Sequence, residues 1–327
     1  MFFPNAQNTT IKNSNFTGID AQYIFNQRVS GIDILLEAAT PEAAFDSDAR
    51  RYAPSCYPGT REQYIQDLTS WASTSYEGKP MIYWMKGPAG VGKSAIAQTC
   101  AEELQRMEQP ELGAAFFFSV NGCSDDTRLF PILAYQLSTL FPDYRRILDT
   151  KIQNDKTLLK KRISRQFESL VISPLRDLEK QGSRIGKRTI IIDGLDECES
   201  EDAQSEILQI IGESVRDQTT PFCWAIFSRP NPCIEAAFSL ISALIPCHIV
   251  WLPISRSVDQ EIELYLKGGF ANILRHRNMP TMLPWPDDEH IQNLWTLRMD
   301  YLPILPQCSA SSTDSHIWIR WSLYARL

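Results

Sequence analysis

The chain has 327 residues, a formal net charge of −7 at pH 7 and a hydrophobic fraction of 43%. This length permits one large or two modest domains, and the composition is that of an ordinary globular protein. The acidic balance, with no basic cluster, argues against a nucleic-acid partner. The eight cysteines form no Cys-x-x-Cys pair, so zinc is not indicated, and scattered thiols are typical of a reducing, cytoplasmic compartment.

The N-terminal part of the chain predicts little regular structure. Residues 1–50 are rich in Asn, Thr, Ala and Asp and contain no long periodic segment, so we expect a poorly ordered leader. A turn at 58–61 then leads into a predicted helix from Glu62 to about Ala72. Residues 51–78 therefore form a helical flank to the domain that follows.

Five short apolar segments predict the strands of one sheet. Each is nearly continuous in apolar residues, as expected for strands covered by helices on both faces. Because helical patterns separate them, we expect βαβ units and a parallel sheet, an α/β fold. A long helical insertion lies between the second and third segments. The five segments are Met81–Met85, Ala114–Ser119, Thr189–Asp193, Cys223–Phe227 and His248–Leu252.

A run without charged residues, from Ala236 to Ser255, could be mistaken for a membrane span. Pro246 and Pro253 interrupt it, and its two halves predict a short helix and a buried strand. We therefore expect no membrane span and no membrane partner.

The segment from Gly87 to Ser94 reads Gly-Pro-Ala-Gly-Val-Gly-Lys-Ser and satisfies the P-loop pattern in full. It follows a strand and opens a helix, the geometry in which a helix N-terminus binds phosphate. Lys93 would lie near the β- and γ-phosphates of a nucleotide, and the Ser94 hydroxyl could ligate Mg²⁺. The predicted nucleotide-binding residues of the loop are Gly87, Pro88, Ala89, Gly90, Val91, Gly92, Lys93, Ser94 and Ala95.

A second acidic motif complements the P-loop. Asp193 ends an apolar strand, where parallel α/β sheets present their ligands, and its carboxylate could hold Mg²⁺ alongside Ser94. Glu197 lies one turn further on and could orient or deprotonate an attacking water, with Asp196 the competing candidate for that catalytic role. The alternative interpretation is an acidic turn after a buried strand.

Arg229 follows the fourth predicted strand. An arginine at this position could contact the γ-phosphate and stabilise charge during phosphoryl transfer, a catalytic role. The alternative is an arginine that caps the sheet by pairing with a carboxylate.

These motifs resemble the NACHT domains of fungal NOD-like receptor proteins, a module also described as the nephrocystin 3-like N-terminal domain. The resemblance runs from about Cys56 to Leu294. Asp193 is followed by a small residue, Gly194, and then by Asp196 and Glu197. This arrangement resembles the NACHT form of the Walker B strand. The segments that carry the resemblance are Cys56–Glu62, Gly87–Ser94, Phe116–Ser119, Phe130–Leu137, Ile190–Cys198 and Phe227–Pro230.

The resemblance implies a signal-transducing P-loop NTPase of the STAND class, with three α/β/α layers and strand order 5-1-4-3-2. ADP and ATP would set closed and open states, with slow hydrolysis, and opening would permit self-association. ATP is the implied nucleotide and GTP the alternative. By resemblance Lys93 and Ser94 bind phosphate and Mg²⁺, Asp193 binds Mg²⁺, Arg229 matches the sensor arginine and Arg61 lies near the base.

The extent of the resemblance also predicts the domain boundaries. Residues 51–255 form the NACHT domain and 256–298 a helical extension. In 299–327 the family pattern stops, and the codons of Met299–Tyr301, read two nucleotides later, encode the Gly-Leu expected of relatives. We interpret this atypical tail as the product of a frameshift or a mispredicted splice junction.

Two other functions stay open at this point. One is a truncated receptor remnant that binds nucleotide without hydrolysis or signalling. The other is a P-loop kinase acting on a small molecule, which the Asp196–Glu197 pair disfavours because it is suited to activating water.

Overall fold

The computed structural model describes residues 16–17, 22–23, 30–51, 53–74, 78–119, 123–253, 264 and 267. Its centre is a five-stranded parallel sheet, and a two-residue antiparallel pair, Phe16–Thr17 with Gln22–Tyr23, lies N-terminal to it in sequence. The strands of the large sheet are β1 (Ile82–Lys86), β2 (Leu112–Phe117), β3 (Arg188–Asp193), β4 (Phe222–Ser228) and β5 (Cys247–Trp251).

Across this sheet the strands lie in the order β2-β3-β4-β1-β5, with every neighbouring pair parallel. Read from the other edge, this is 5-1-4-3-2, the order that the family resemblance implies. The predicted α/β fold class is therefore confirmed, with strand bounds that differ from the prediction by one or two residues.

Helices cover both faces of the sheet. The α-helices are α1 (Gly31–Ala38), α2 (Glu62–Ser73), α3 (Lys93–Arg106), α4 (Leu129–Leu140), α5 (Pro142–Asn154), α6 (Ile163–Phe167), α7 (Ser173–Lys180), α8 (Glu201–Arg216) and α9 (Pro232–Ser242). A π-helical segment, Glu168–Ile172, joins α6 to α7. Single 3₁₀ turns lie at Pro41–Ala43, Asp48–Arg50, Asp126–Arg128, Lys156–Lys160 and Leu195–Glu197.

Alternate strand residues supply two separate cores. In β1, Tyr83 and Met85 pack with α2 and α3, whereas Ile82 and Trp84 pack with the helices of the other layer. Because successive strand side chains point to opposite faces, both sets must be apolar when both faces are covered. This is why the strands read as continuous apolar runs.

The prediction of a poorly ordered leader is wrong for residues 30–50, which form a helix and two short 3₁₀ turns. Helix α1 begins with a capping box between Ser30 and Asp33, and Leu35 is completely buried. A Cβ on Gly31 would clash with the carbonyl oxygen of Asp149 in α5, so the glycine permits close helix packing. An eight-residue helix is too short to give a long periodic pattern, and such helices are stabilised by tertiary contacts.

Other predictions lie outside the described residues. They are the remainder of the leader apart from 16–17 and 22–23, the helical extension 256–298 apart from Leu264 and Lys267, and the tail 299–327. The charge-free run is divided between α9 and β5. Within the part of the chain that the structure describes, no helix has the length and apolarity to cross a membrane.

Candidate functional site

The carboxyl ends of β1, β3 and β4 bring the predicted motifs to one edge of the sheet. The backbone N–H of Gly87 donates to the carbonyl of Ser228 (3.4 Å), and that of Gly194 donates to the carbonyl of Phe227 (3.0 Å). These hydrogen bonds extend the sheet beyond its strands, so the loops after β1, β3 and β4 start from adjacent, fixed positions.

The P-loop has the backbone that its glycines permit. Gly90 and Gly92 have φ angles of 76° and 96°, a region that side chains disfavour. A Cβ on Gly87 would lie 2.5 Å from the carbonyl oxygen of Leu252. Val91 is buried beneath the loop, while Ala89 is exposed. The remaining predicted loop residues, Pro88, Ser94 and Ala95, are half-buried.

Lys93 reaches back across this loop. Its Nζ donates to the carbonyl oxygens of Gly87 and Pro88, both at 2.8 Å. Burial lowers the pKa of Lys93, and the carboxylates of Asp196 and Asp193 oppose that effect. The ammonium is thereby held inside the loop, where the motif requires a positive charge beside phosphate.

Asp193 ends β3 and is almost completely buried. Burial raises the pKa of its carboxyl group to about 6, while a hydrogen bond from the Ser94 hydroxyl lowers it. Its Oδ1 has no hydrogen-bond partner among the described residues. A buried carboxylate oxygen without a partner is costly, and oxygen ligands of this kind suit Mg²⁺. Ser94 and Asp193 therefore fit the predicted magnesium site.

Ser94 and Asp193 are the candidate metal ligands in the part of the chain that the structure describes. Within the described ranges, no group of three or more His, Cys, Asp or Glu residues is arranged to hold a metal ion, and the seven cysteines found there are free thiols. Mg²⁺ commonly keeps several waters and takes one or two protein ligands plus substrate phosphates. A two-residue donor set is therefore sufficient for this ion.

The turn after Asp193 brings Asp196 and Glu197 to Arg229. Gly194 has a φ of 71°, which lets the chain enter the 3₁₀ turn directly. Asp196 accepts a hydrogen bond from the backbone N–H of Arg229 (2.8 Å) and lies 3.2 Å from its Nε. Glu197 Oε1 lies 3.7 Å from Nη2 of the same arginine.

The burial of these side chains separates their roles. The Asp196 side chain is only 4% exposed, that of Glu197 is 15% exposed and that of Arg229 is 43% exposed. Both oxygens of Asp196 face Arg229, so Asp196 is the structural partner of the pair and Glu197 is the better placed of the two candidate bases. Of the two interpretations of Arg229, pairing with a carboxylate is the arrangement observed.

Arg61 approaches the P-loop from its outer side. It adopts a left-handed conformation (φ 59°) immediately before α2, and its Nη2 donates to the carbonyl of Val91 (2.8 Å). The predicted nucleotide-flank residue thus contacts the loop backbone.

One residue beside the site is not indicated by any sequence pattern. Arg50, in the 3₁₀ turn Asp48–Arg50, places its guanidinium carbon 3.6 Å from the centre of the Phe117 ring. Its Nε donates to Oε1 of Gln98 (3.1 Å) in α3. Residues around Arg50 carry no motif, so only the fold reveals that this arginine lies near Asp193.

The fold and the loop together define a P-loop NTPase. The chain belongs to the family described as "Nephrocystin 3, N-terminal", which matches residues 59–229, more than half of its length. This match covers the P-loop, the Asp193 turn and Arg229. The family description coincides with the module that the sequence resembles.

The solved structures that match the chain are distant from it. C. elegans PCH-2 shares 12% identity, with 81% of this chain and 61% of that chain covered and a TM-score of 0.37. A chain in the structure of Drosophila ORC bound to GC-rich DNA and Cdc6 shares 10% identity, with 90% and 46% covered and a TM-score of 0.35. The chain thus spans about half to three fifths of the length of these proteins. No curated protein matches the sequence.

Proposed function

We propose that this protein is a nucleotide switch of the NACHT/STAND type that binds ATP or ADP with Mg²⁺ and hydrolyses ATP slowly. The observation that carries the proposal is the buried carboxylate of Asp193 beside Ser94, with one oxygen unpartnered among the described residues, next to a complete P-loop. GTP is the alternative nucleotide. By its resemblance to fungal NOD-like receptors, the switch would act in signal transduction related to innate immunity or heterokaryon incompatibility.

Each residue of the site has a stated part in this proposal. The backbone N–H groups of the loop and Lys93 bind the phosphates, and Ser94 and Asp193 hold the metal. Bound Mg²⁺ would neutralise charge on the β- and γ-phosphates. Glu197 would accept a proton from water or orient it, and Arg229 would contact the γ-phosphate once released from its carboxylate partners.

The pairing of Arg229 favours a switch over a fast enzyme. Its guanidinium lies against both Asp196 and Glu197, so the candidate base is engaged by a cation. Activating water through Glu197 requires this contact to weaken, and a γ-phosphate offers the arginine an alternative anion. Nucleotide state and the Arg229 contact would therefore change together.

The second candidate function is a receptor remnant that holds nucleotide without turnover or signalling. The same pairing of Arg229 supports it, because a permanently engaged Glu197 would not activate water. The two candidates differ in hydrolysis and agree on binding, so one preparation can separate them.

The test uses the purified full chain. Each sample is denatured and its released nucleotide is identified by chromatography; phosphate release is then followed with Mg-ATP. Lys93→Ala should lose the co-purified nucleotide. The matched control is Lys86→Ala, which removes a lysine at the same sheet edge whose side chain pairs with Glu235 (2.9 Å), and it should retain nucleotide.

The outcomes are distinct. Bound nucleotide with slow phosphate release that Glu197→Gln abolishes would support the switch. Bound nucleotide with no release above background, in wild type and Glu197→Gln alike, would support the remnant. A folded wild-type chain without nucleotide, and with no affinity for added ATP or ADP, would refute both.

Exposed apolar side chains point to a partner other than nucleotide. We expect self-association or a protein partner, because helix α9, edge strand β5 and the turn between them expose the large apolar side chains Leu240, Leu244, Ile249 and Trp251. The net charge of −7 still argues against nucleic acid, and the free thiols favour a cytoplasmic location. Light scattering on the purified chain would report its oligomeric state.

A further inference from the structure

Arg50 contacts a neighbour of each of the two candidate magnesium ligands. Phe117, whose ring lies under its guanidinium, is the direct partner of Asp193 in the register of β2 and β3. Gln98, which accepts from its Nε, lies one helical turn after Ser94 on α3. Two independent contacts thus place the guanidinium beside the pair of residues that would hold Mg²⁺.

The same glutamine fastens the surrounding segment to α3. Gln98 is 4% exposed, and its Nε2 donates to the carbonyl of Phe45 (2.8 Å) while its Oε1 accepts from Arg50. We call residues 41–51 the N-terminal strap. The strap is also held by apolar packing, since Ala43 and Ala44 are buried and Phe45 packs against the core on the α3 side of the sheet. The polar part of its attachment beside the site comes from the buried amide of Gln98 and from Arg50.

The electrostatic environment connects Arg50 to Asp193. Burial lowers the pKa of Arg50, and the Asp193 carboxylate opposes that effect. Neither terminal nitrogen of Arg50 has a hydrogen-bond partner among the described residues, so its charge is balanced through space. A Mg²⁺ ion on Asp193 would take over as the counter-charge and would repel a nearby guanidinium.

We propose that Arg50 is a positioning residue that balances the charge of Asp193 when Mg²⁺ is absent, and so couples metal binding to the attachment of the N-terminal strap. This inference rests on the proposed function, since it requires that the site binds nucleotide and metal. Through this coupling, the bound nucleotide and metal would affect the attachment of residues that lie N-terminal to the family domain. Mg²⁺ and the docked strap oppose each other, and by linkage removing Arg50 strengthens metal binding.

The first test measures metal affinity directly. The full chain is loaded with ADP, desalted and titrated at pH 8 with Mn²⁺, a paramagnetic substitute for Mg²⁺, using EPR to count bound ion. Arg50→Gln should bind Mn²⁺ at least about tenfold more tightly, because charges a few ångströms apart repel each other more strongly in partly buried surroundings than in bulk water. Arg50→Lys, which keeps the charge, should stay close to wild type.

Arg51→Gln is the matched control, because it removes the same charge one residue away. Arg51 pairs with Asp48 and its side chain is 64% exposed, so its loss should leave Mn²⁺ affinity unchanged. If Arg50 only anchored the strap, Arg50→Gln would bind Mn²⁺ equally well or more weakly. That result would overturn the proposal.

A second measurement needs only the wild-type chain and covers the case in which Arg50→Gln fails to fold. Hydrogen–deuterium exchange is followed in the ADP complex with EDTA and with Mg²⁺. Exchange in residues 41–51 should rise several-fold with Mg²⁺, because docking and metal binding oppose each other. Unchanged exchange in a chain shown to retain ADP overturns this inference alone, whereas loss of ADP on desalting with no affinity for added ADP overturns the proposed function as well.

Discussion

Replacing Asp193 by asparagine should stabilise the metal-free protein at neutral pH while it removes a proposed magnesium ligand. The carboxylate is almost completely buried next to the P-loop, and its Oδ1 lacks a hydrogen-bond partner among the described residues. Keeping this group charged in the folded state is therefore costly. Asparagine has nearly the same shape, can still accept from Ser94 and carries no charge.

The magnitude follows from the pKa. Burial raises the pKa of Asp193 from 3.8 to about 6, so the folded state binds its proton more tightly than the unfolded state does. The stability that this group contributes is fully present below pH 3.8 and is lost as the pH rises through about 6. The full loss is about 3 kcal/mol, since one pH unit corresponds to about 1.4 kcal/mol.

Urea unfolding of nucleotide-stripped protein in EDTA, at pH 5 and pH 8, measures this effect. Asp193→Asn should exceed wild type by about 3 kcal/mol in free energy of unfolding at pH 8 and by about half of that at pH 5. Asp202→Asn changes the same charge at an exposed position and should show no such dependence. The reasoning would be refuted if Asp193→Asn were no more stable than wild type at pH 8. It would also be refuted if the difference in free energy of unfolding were the same at both pH values.

Two further predictions concern the turn after Asp193. Asp196→Asn should lower the free energy of unfolding by about 1–3 kcal/mol, measured in urea, because a nearly buried acceptor of Arg229 loses its charge; an unchanged value would contradict this role. Gly194→Ala should lower the melting temperature more than Gly182→Ala. Both glycines have positive φ, but only at 194 would a Cβ lie within 3.1 Å of an atom, the Phe118 carbonyl oxygen. Equal decreases in melting temperature would show that the positive φ alone, without the contact to Phe118, accounts for the destabilisation.

The sheet and the P-loop were predictable because their causes are local in sequence. A strand buried on both faces must be apolar throughout, so β1 to β5 appear as short apolar runs. A phosphate-binding loop needs glycines at particular positions and a lysine at the start of a helix. The segment Gly87–Ser94 therefore predicts phosphate binding from its sequence alone. Helix α2 follows from a turn and a regular apolar spacing, and its bounds agree within a residue.

The remaining features depend on contacts between distant parts of the chain. Helix α1 is stabilised by packing on α5, where Gly31 meets the backbone of Asp149 more than a hundred residues away. The sequence indicates that Arg229 stands at a strand end, but only the fold shows that it pairs with Asp196 and Glu197.

Arg50 illustrates the limit most clearly. The sequence by itself determined the strands, the phosphate loop and the carboxylate that ends β3, because each of these leaves a pattern over a few consecutive residues. Only the tertiary structure decided that Arg50 lies over Phe117, beside that carboxylate. Burial and electrostatic interactions depend on which residues are close in space. Residues that are far apart along the chain form no sequence pattern, so their contact could not be predicted.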